Sequence, residues 1–78
     1  MPTVLQIGAY RFFFFSNEGS EPPHIHVEAG HGYAKFWLKP VRLARSAGFS
    51  ATELNKVHRL VVSNEARFLE AWHDHFGD

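Results

Sequence analysis

From Ile25 to Leu38, apolar side chains fall on alternate positions: Ile25, Val27 and Ala29 before a glycine-bearing break, then Ala34, Phe36 and Leu38 after it. Alternate residues of a strand share a face, so the pattern calls for a β-hairpin with one apolar side. With His31-Gly32 as a two-residue turn, Ala29 faces Ala34, Val27 faces Phe36 and Ile25 faces Leu38. Glu28 then stands opposite Lys35, and His26 opposite Trp37, on the other side. Pro22 and Pro23 interrupt any ladder ahead of this strand, and Pro23 holds Pro22 extended, which leads straight into His24.

The segments before and after the hairpin place it in an α+β fold. Thr3 to Ile7 and Tyr10 to Ser16 read as two strands joined by Gly8-Ala9, which pairs Ile7 with Tyr10 and Leu5 with Phe12. Phe12 to Phe15 is apolar on both faces, as in a strand covered on both sides or one whose second face serves a ligand or partner. Asn17 to Pro23 is a loop. Val41 to Ala44 alternates as a short fifth strand would, with a single helical turn ending at Gly48 as the competing reading. Ser50 and Glu53 have capping-box spacing, so a helix starts there. Leu54, Val57, Val61, Phe68 and Trp72 continue a stripe at helical spacing. The expectation is a four- to five-stranded antiparallel sheet over residues 1–46. A long C-terminal helix within 50–76 packs on the Ile25/Val27/Phe36/Leu38 face, with a kink expected at Ser63-Asn64, and residues 1–78 form one domain.

A chain of 78 residues without cysteine has neither disulfides nor a thiolate zinc site to stabilise it. Eight Phe and two Trp supply the core instead. Eight basic and eight acidic residues cancel, which argues against a large electrostatic footprint for duplex DNA or an anionic membrane. No apolar run approaches the ~20 residues of a membrane span, and no secretory leader is visible. The expectation is a cytoplasmic protein without a membrane contact, monomeric or a homo-oligomer.

The face opposite the helix carries the chemistry. His24, His26 and Glu28 project together there with Lys35 and Trp37, and Arg11 and Phe13 join them from the neighbouring strand. Three readings fit these residue types beside that of an amphipathic strand's wet surface. In the first, which needs no cofactor, one imidazole takes a proton and the other gives one, Lys35 or Arg11 stabilises an oxyanion, and Trp37 or Phe13 stacks a base, as RNA cleavage requires. In the second, His24, His26 and Glu28, or His31 from the turn, hold zinc or another divalent metal. In the third, exposed Phe, Trp and His bind a protein partner without catalysis. All three place both imidazoles on the uncovered side of the sheet, in contact with water.

Several segments together resemble one family: Met1-Pro2-Thr3-Val4-Leu5 with Gly8 and Tyr10-Arg11-Phe12-Phe13-Phe14-Phe15-Ser16, then Pro22-Pro23-His24-Ile25-His26-Val27, Ala34-Lys35-Phe36-Trp37-Leu38, Gly48-Phe49-Ser50, and Trp72. The chain resembles the small bacterial family catalogued as domain of unknown function 4160. Members resemble components of toxin-antitoxin pairs, often beside a small protein of domain of unknown function 2442. The resemblance implies a toxin-like protein with an antitoxin-like partner from a neighbouring gene that masks an active or binding face; taken with the imidazole pair, the expected target is RNA or a translation component. It places no catalytic residue; His24 and His26 come from the strand pattern.

Overall fold

The computed structural model describes residues 3–77; Met1 and Pro2, which open the resemblance, and Asp78, the last residue of the expected domain, lie outside them. Strands β1 (Thr3–Ile7), β2 (Tyr10–Phe13), β3 (His24–Ala29), β4 (Gly32–Leu38) and β5 (Val41–Ala47) precede helices α1 (Ala51–Ser63) and α2 (Glu65–Phe76). The strands lie in chain order in one antiparallel sheet, so the α+β expectation holds and the fifth strand is present. Among the described residues no helix is long and apolar enough to cross a membrane.

Glycines at the first turn position set both early hairpins. Gly8 and Gly30 each adopt φ +57°, a conformation open to glycine and costly for other residues. In the β1–β2 hairpin Ile7 pairs with Tyr10 and Leu5 with Phe12, as expected. The β3–β4 turn is Gly30-His31 rather than His31-Gly32, so His26 faces Lys35, Glu28 faces Tyr33, Val27 faces Ala34 and Ile25 faces Phe36. The positive φ falls on Gly30, while Gly32 enters the strand beneath the Phe49 ring, where any β-carbon would overlap it. The pairing differs from the expected one by two residues, so every side chain keeps its face.

The expected long helix is two helices. At Asn64 the backbone turns to φ −116°, ψ 16°, and the Asn64 side-chain amide donates to the Leu60 carbonyl oxygen at 2.8 Å. That bond offers the backbone an alternative to continued helix. At the other end of α1 the capping box is complete: Glu53 N–H donates to Ser50 Oγ at 3.1 Å, and Ser50 N–H to Glu53 Oε1 at 3.0 Å.

Phe12, Ile25, Val27, Ala34, Phe36 and Leu38 on one face of the sheet meet Val57, Val61 and Phe68 from the helices. Each large apolar side chain buried there contributes about 1.5–3 kcal/mol. Trp72 leaves this stripe and packs with Phe14, Phe76 and the His24 ring. The end of α2 therefore reaches the other face of the sheet, as does the segment between β2 and β3. Gly19 of that segment lies against Phe76, and the Pro23 carbonyl accepts from Leu38 N–H at 3.0 Å.

Candidate metal centre

Strand alternation sets His24 and His26 on the face opposite Ile25 and Val27, with ring centroids 5.1 Å apart, edge to face. The histidines are side by side but not wet. His24 is 0% exposed and His26 2%, which corrects the expectation of an open surface. Burial comes from the β2–β3 loop, from aromatic neighbours and from Trp72 at the end of α2, so the helical segment does not leave this face uncovered as expected. Phe13 stacks on His26 at 5.3 Å and Phe15 meets its edge at 5.0 Å, while Trp37 and Trp72 flank His24 at 5.7 and 4.8 Å.

Two buried imidazoles need polar partners. The loop provides one that the strand pattern does not reveal. Glu18 Oε2 lies 2.8 Å from His26 Nε2, and Glu18 Oε1 lies 3.0 Å from the Nε2 atoms of both histidines. Phe15 N–H donates to the same carboxylate at 2.9 Å and holds it in place. The outer nitrogens are fixed as well: His24 Nδ1 lies 3.0 Å from the Pro22 carbonyl oxygen, and His26 Nδ1 lies 2.8 Å from the Tyr33 hydroxyl.

The protonation states follow from these partners. Burial alone raises the Glu18 pKa, but hydrogen bonds from Phe15 N–H and the His26 imidazole, with the His24 ring beside the carboxylate, outweigh it and leave the value below the ordinary one. Burial pushes His26 below the usual histidine range, more than the Glu18 carboxylate lifts it. Near neutrality the pair is therefore a carboxylate beside a neutral imidazole. His24 is the unusual member. A carbonyl oxygen can only accept, so His24 carries a hydrogen on Nδ1, and Nε2 is the ring atom left to face an ion. That Nε2 is buried 3.0 Å from a carboxylate oxygen and yet makes no directed hydrogen bond among the described residues.

Close approach without a directed bond is what co-ligands of one ion display, because each aims at the ion rather than at its neighbour. The ligand atoms of Glu18, His24 and His26 lie within 4.8 Å of one another. Bonds of about 2.0–2.1 Å in tetrahedral geometry need ligand atoms about 3.3–3.4 Å apart, so the Glu18 contacts must open by only a few tenths of an ångström. The outer hydrogen bonds to Pro22 and Tyr33 are of the kind that orient metal-bound imidazoles. The Tyr33 hydroxyl serves His26 in either tautomer, since it can both donate and accept.

Other expected site residues are placed differently. Glu28, the expected third ligand, is exposed and paired with Arg11 at 2.6 Å; Glu18 takes that position beside the histidines. Arg11 also bonds Thr3 Oγ1 at 2.9 Å and lies over the Phe13 ring. Lys35 pairs with Glu21 at 2.9 Å and lies over Trp37, so its charge is partly neutralised beside the site. His31 occupies the turn at the far end of β3 from His24 and does not join the cluster. Glu18 and Tyr33 are the residues the strand pattern misses. The signal that points toward them is indirect: two buried histidines in one strand demand an acid close in space, and the adjoining loop contains Glu18 and Glu21.

A family model described as Domain of unknown function (DUF4160) matches residues 9–73. No curated protein and no solved structure matches the chain.

Proposed function

We propose that this chain, which belongs to the DUF4160 family, is a metal-binding protein in which Glu18, His24 and His26 hold one divalent transition-metal ion. The observation that carries the reading is the His24 Nε2 atom, buried, bare of a directed hydrogen bond and beside a carboxylate. Two imidazoles and a carboxylate suit zinc and its first-row neighbours better than magnesium or calcium, which prefer all-oxygen shells. Three protein ligands leave a further position for water or another donor. Two ligands come from β3 and one from the loop between β2 and β3, so the ion fastens that loop across the sheet.

An RNA-directed, toxin-like action of the same imidazoles is disfavoured, because beneath Phe15, Glu18 and Trp72 they reach no phosphate unless the loop lifts. Cobalt(II) titration of chelator-treated protein tests the proposal. Expected are one ion per chain and a visible tetrahedral or five-coordinate absorption band, with affinity falling at least ~100-fold in Glu18→Gln and in His24→Ala. Equal affinity in wild type and both variants, or no binding at all, would sink it.

A further inference from the structure

The zero net charge of the chain hides a separation of charge in space. Residues 32–47 contain Lys35, Lys39, Arg42 and Arg45 and no acid, whereas the chain from residue 51 onward carries five acids against three Lys and Arg. A β-bulge concentrates the cations. Arg42 pairs with Trp37 and Arg45 with Lys35, leaving Ala44 as the extra residue between the two registers. Without that residue two side chains three positions apart would point to opposite faces; with it both arginines share the face of Trp37, opposite the main helical layer.

The acids on this face are already committed, Glu28 to Arg11, Glu21 to Lys35 and Glu18 to the histidines. Lys39 and Arg42 are exposed and hold no ion pair among the described residues, and Arg45, also exposed, lies 5.8 Å from the Tyr33 ring. Between them Trp37 lines a groove of about 330 Å³ with Pro22, Pro23, Lys39, Pro40 and Arg42.

We propose that this open face of β4 and β5 binds single-stranded nucleic acid, with an unpaired base in the Trp37 groove and backbone phosphates on Lys39, Arg42 and Arg45. Guanidinium forks match phosphate oxygens, and an indole in a groove offers a stacking surface that a duplex, with its bases already paired, cannot use. An acidic peptide without aromatic residues satisfies the cations but brings no ring to the groove. The groove borders the metal centre, since Trp37 flanks His24 and the Pro22 carbonyl holds its Nδ1, but it uses neither Glu18 nor the His24 Nε2, so the binding test is read on metal-free protein.

Fluorescence anisotropy with short labelled RNA and DNA strands, alone and as duplexes, is the test. Expected are binding to single strands over duplex and a loss of about tenfold or more in Arg42→Ala/Arg45→Ala. The double variant also lowers the slope of log affinity against log salt by about 1.4, the value for two lost phosphate contacts on a single strand. Trp37→Leu weakens binding with little change in that slope. Unchanged melting temperatures exclude misfolding of these surface variants. The proposal is overturned by absence of binding, by equal binding in the double arginine variant, or by displacement of the strand as readily by poly-glutamate as by unlabelled oligonucleotide. The last result would make the face a site for acidic protein.

Discussion

The two faces of β3 are buried to the same degree and held by different means. Ile25 and Val27 are 1% and 0% exposed against the helices, and His24 and His26 are 0% and 2% exposed on the other side. Apolar burial needs only shape and neighbours, and Phe12, Phe36, Val57, Val61 and Phe68 provide them. Imidazole burial needs a hydrogen-bonding or ligating partner for each nitrogen, and those partners come from elsewhere in the chain: Pro22, Tyr33 and above all Glu18. One face is therefore complete as soon as the helices dock. The other is complete only when the loop closes and, if the proposed centre forms, when an ion is shared.

This contrast is sharpest in paired stability measurements. Ile25→Ala is expected to cost about 2–5 kcal/mol by urea denaturation, and the cost is the same with zinc and without. A zinc-dependent cost would show that the faces are not independent. Wild type gains about 2.7 kcal/mol when free zinc stands at 100 times the dissociation constant, and Glu18→Gln at the same zinc concentration gains almost nothing. A gain retained in Glu18→Gln would move the ion away from the loop. Tyr33→Phe removes the hydroxyl behind His26, and zinc affinity is expected to fall about 10–100-fold while the apolar face is untouched; calorimetric titration reads this directly. The smallest effect lies outside both faces. Hydrogen bonds from the Ser50 N–H and hydroxyl lower the Glu53 pKa below its ordinary 4.5. The sign follows: Glu53 binds its proton more weakly folded than unfolded, so its contribution is whole above that value and fades as pH falls through the lowered one. Acid titration of the melting temperature in Glu53→Gln should therefore lack this part of the decline.

The apolar face was legible in the sequence because its rules are local and periodic. Alternation assigned Ile25, Val27, Phe36 and Leu38 to one side, the Gly8-Ala9 turn fixed the first hairpin, and Ser50 with Glu53 marked the helix start. The exact β3–β4 register was not legible, since pairings two residues apart satisfy the same alternation. The positive φ at Gly30 and the contact of Gly32 with Phe49, far along the chain, mark the observed one. The helix break at Asn64 turns on one side-chain bond to Leu60.

The polar face was legible only in part. Strand alternation placed the two imidazoles together, and it equally favoured Glu28, which the structure gives to Arg11. Glu18 sits in a loop with no period to read, so its approach to His24 and His26 appears only once Gly19 is seen against Phe76 and Phe15 N–H against the carboxylate. The arginines were hidden for a similar reason, because Arg42 and Arg45 share a face only through the bulge at Ala44.

X-ray absorption at the zinc edge of the one-to-one zinc complex tests the centre most directly. A shared ion at Glu18, His24 and His26 predicts outer-shell scattering from two imidazoles with inner nitrogen and oxygen neighbours at about 2.0–2.1 Å, and loss of one imidazole's signature in His24→Ala. A spectrum with oxygen neighbours only, or one that His24→Ala leaves unchanged, would contradict it.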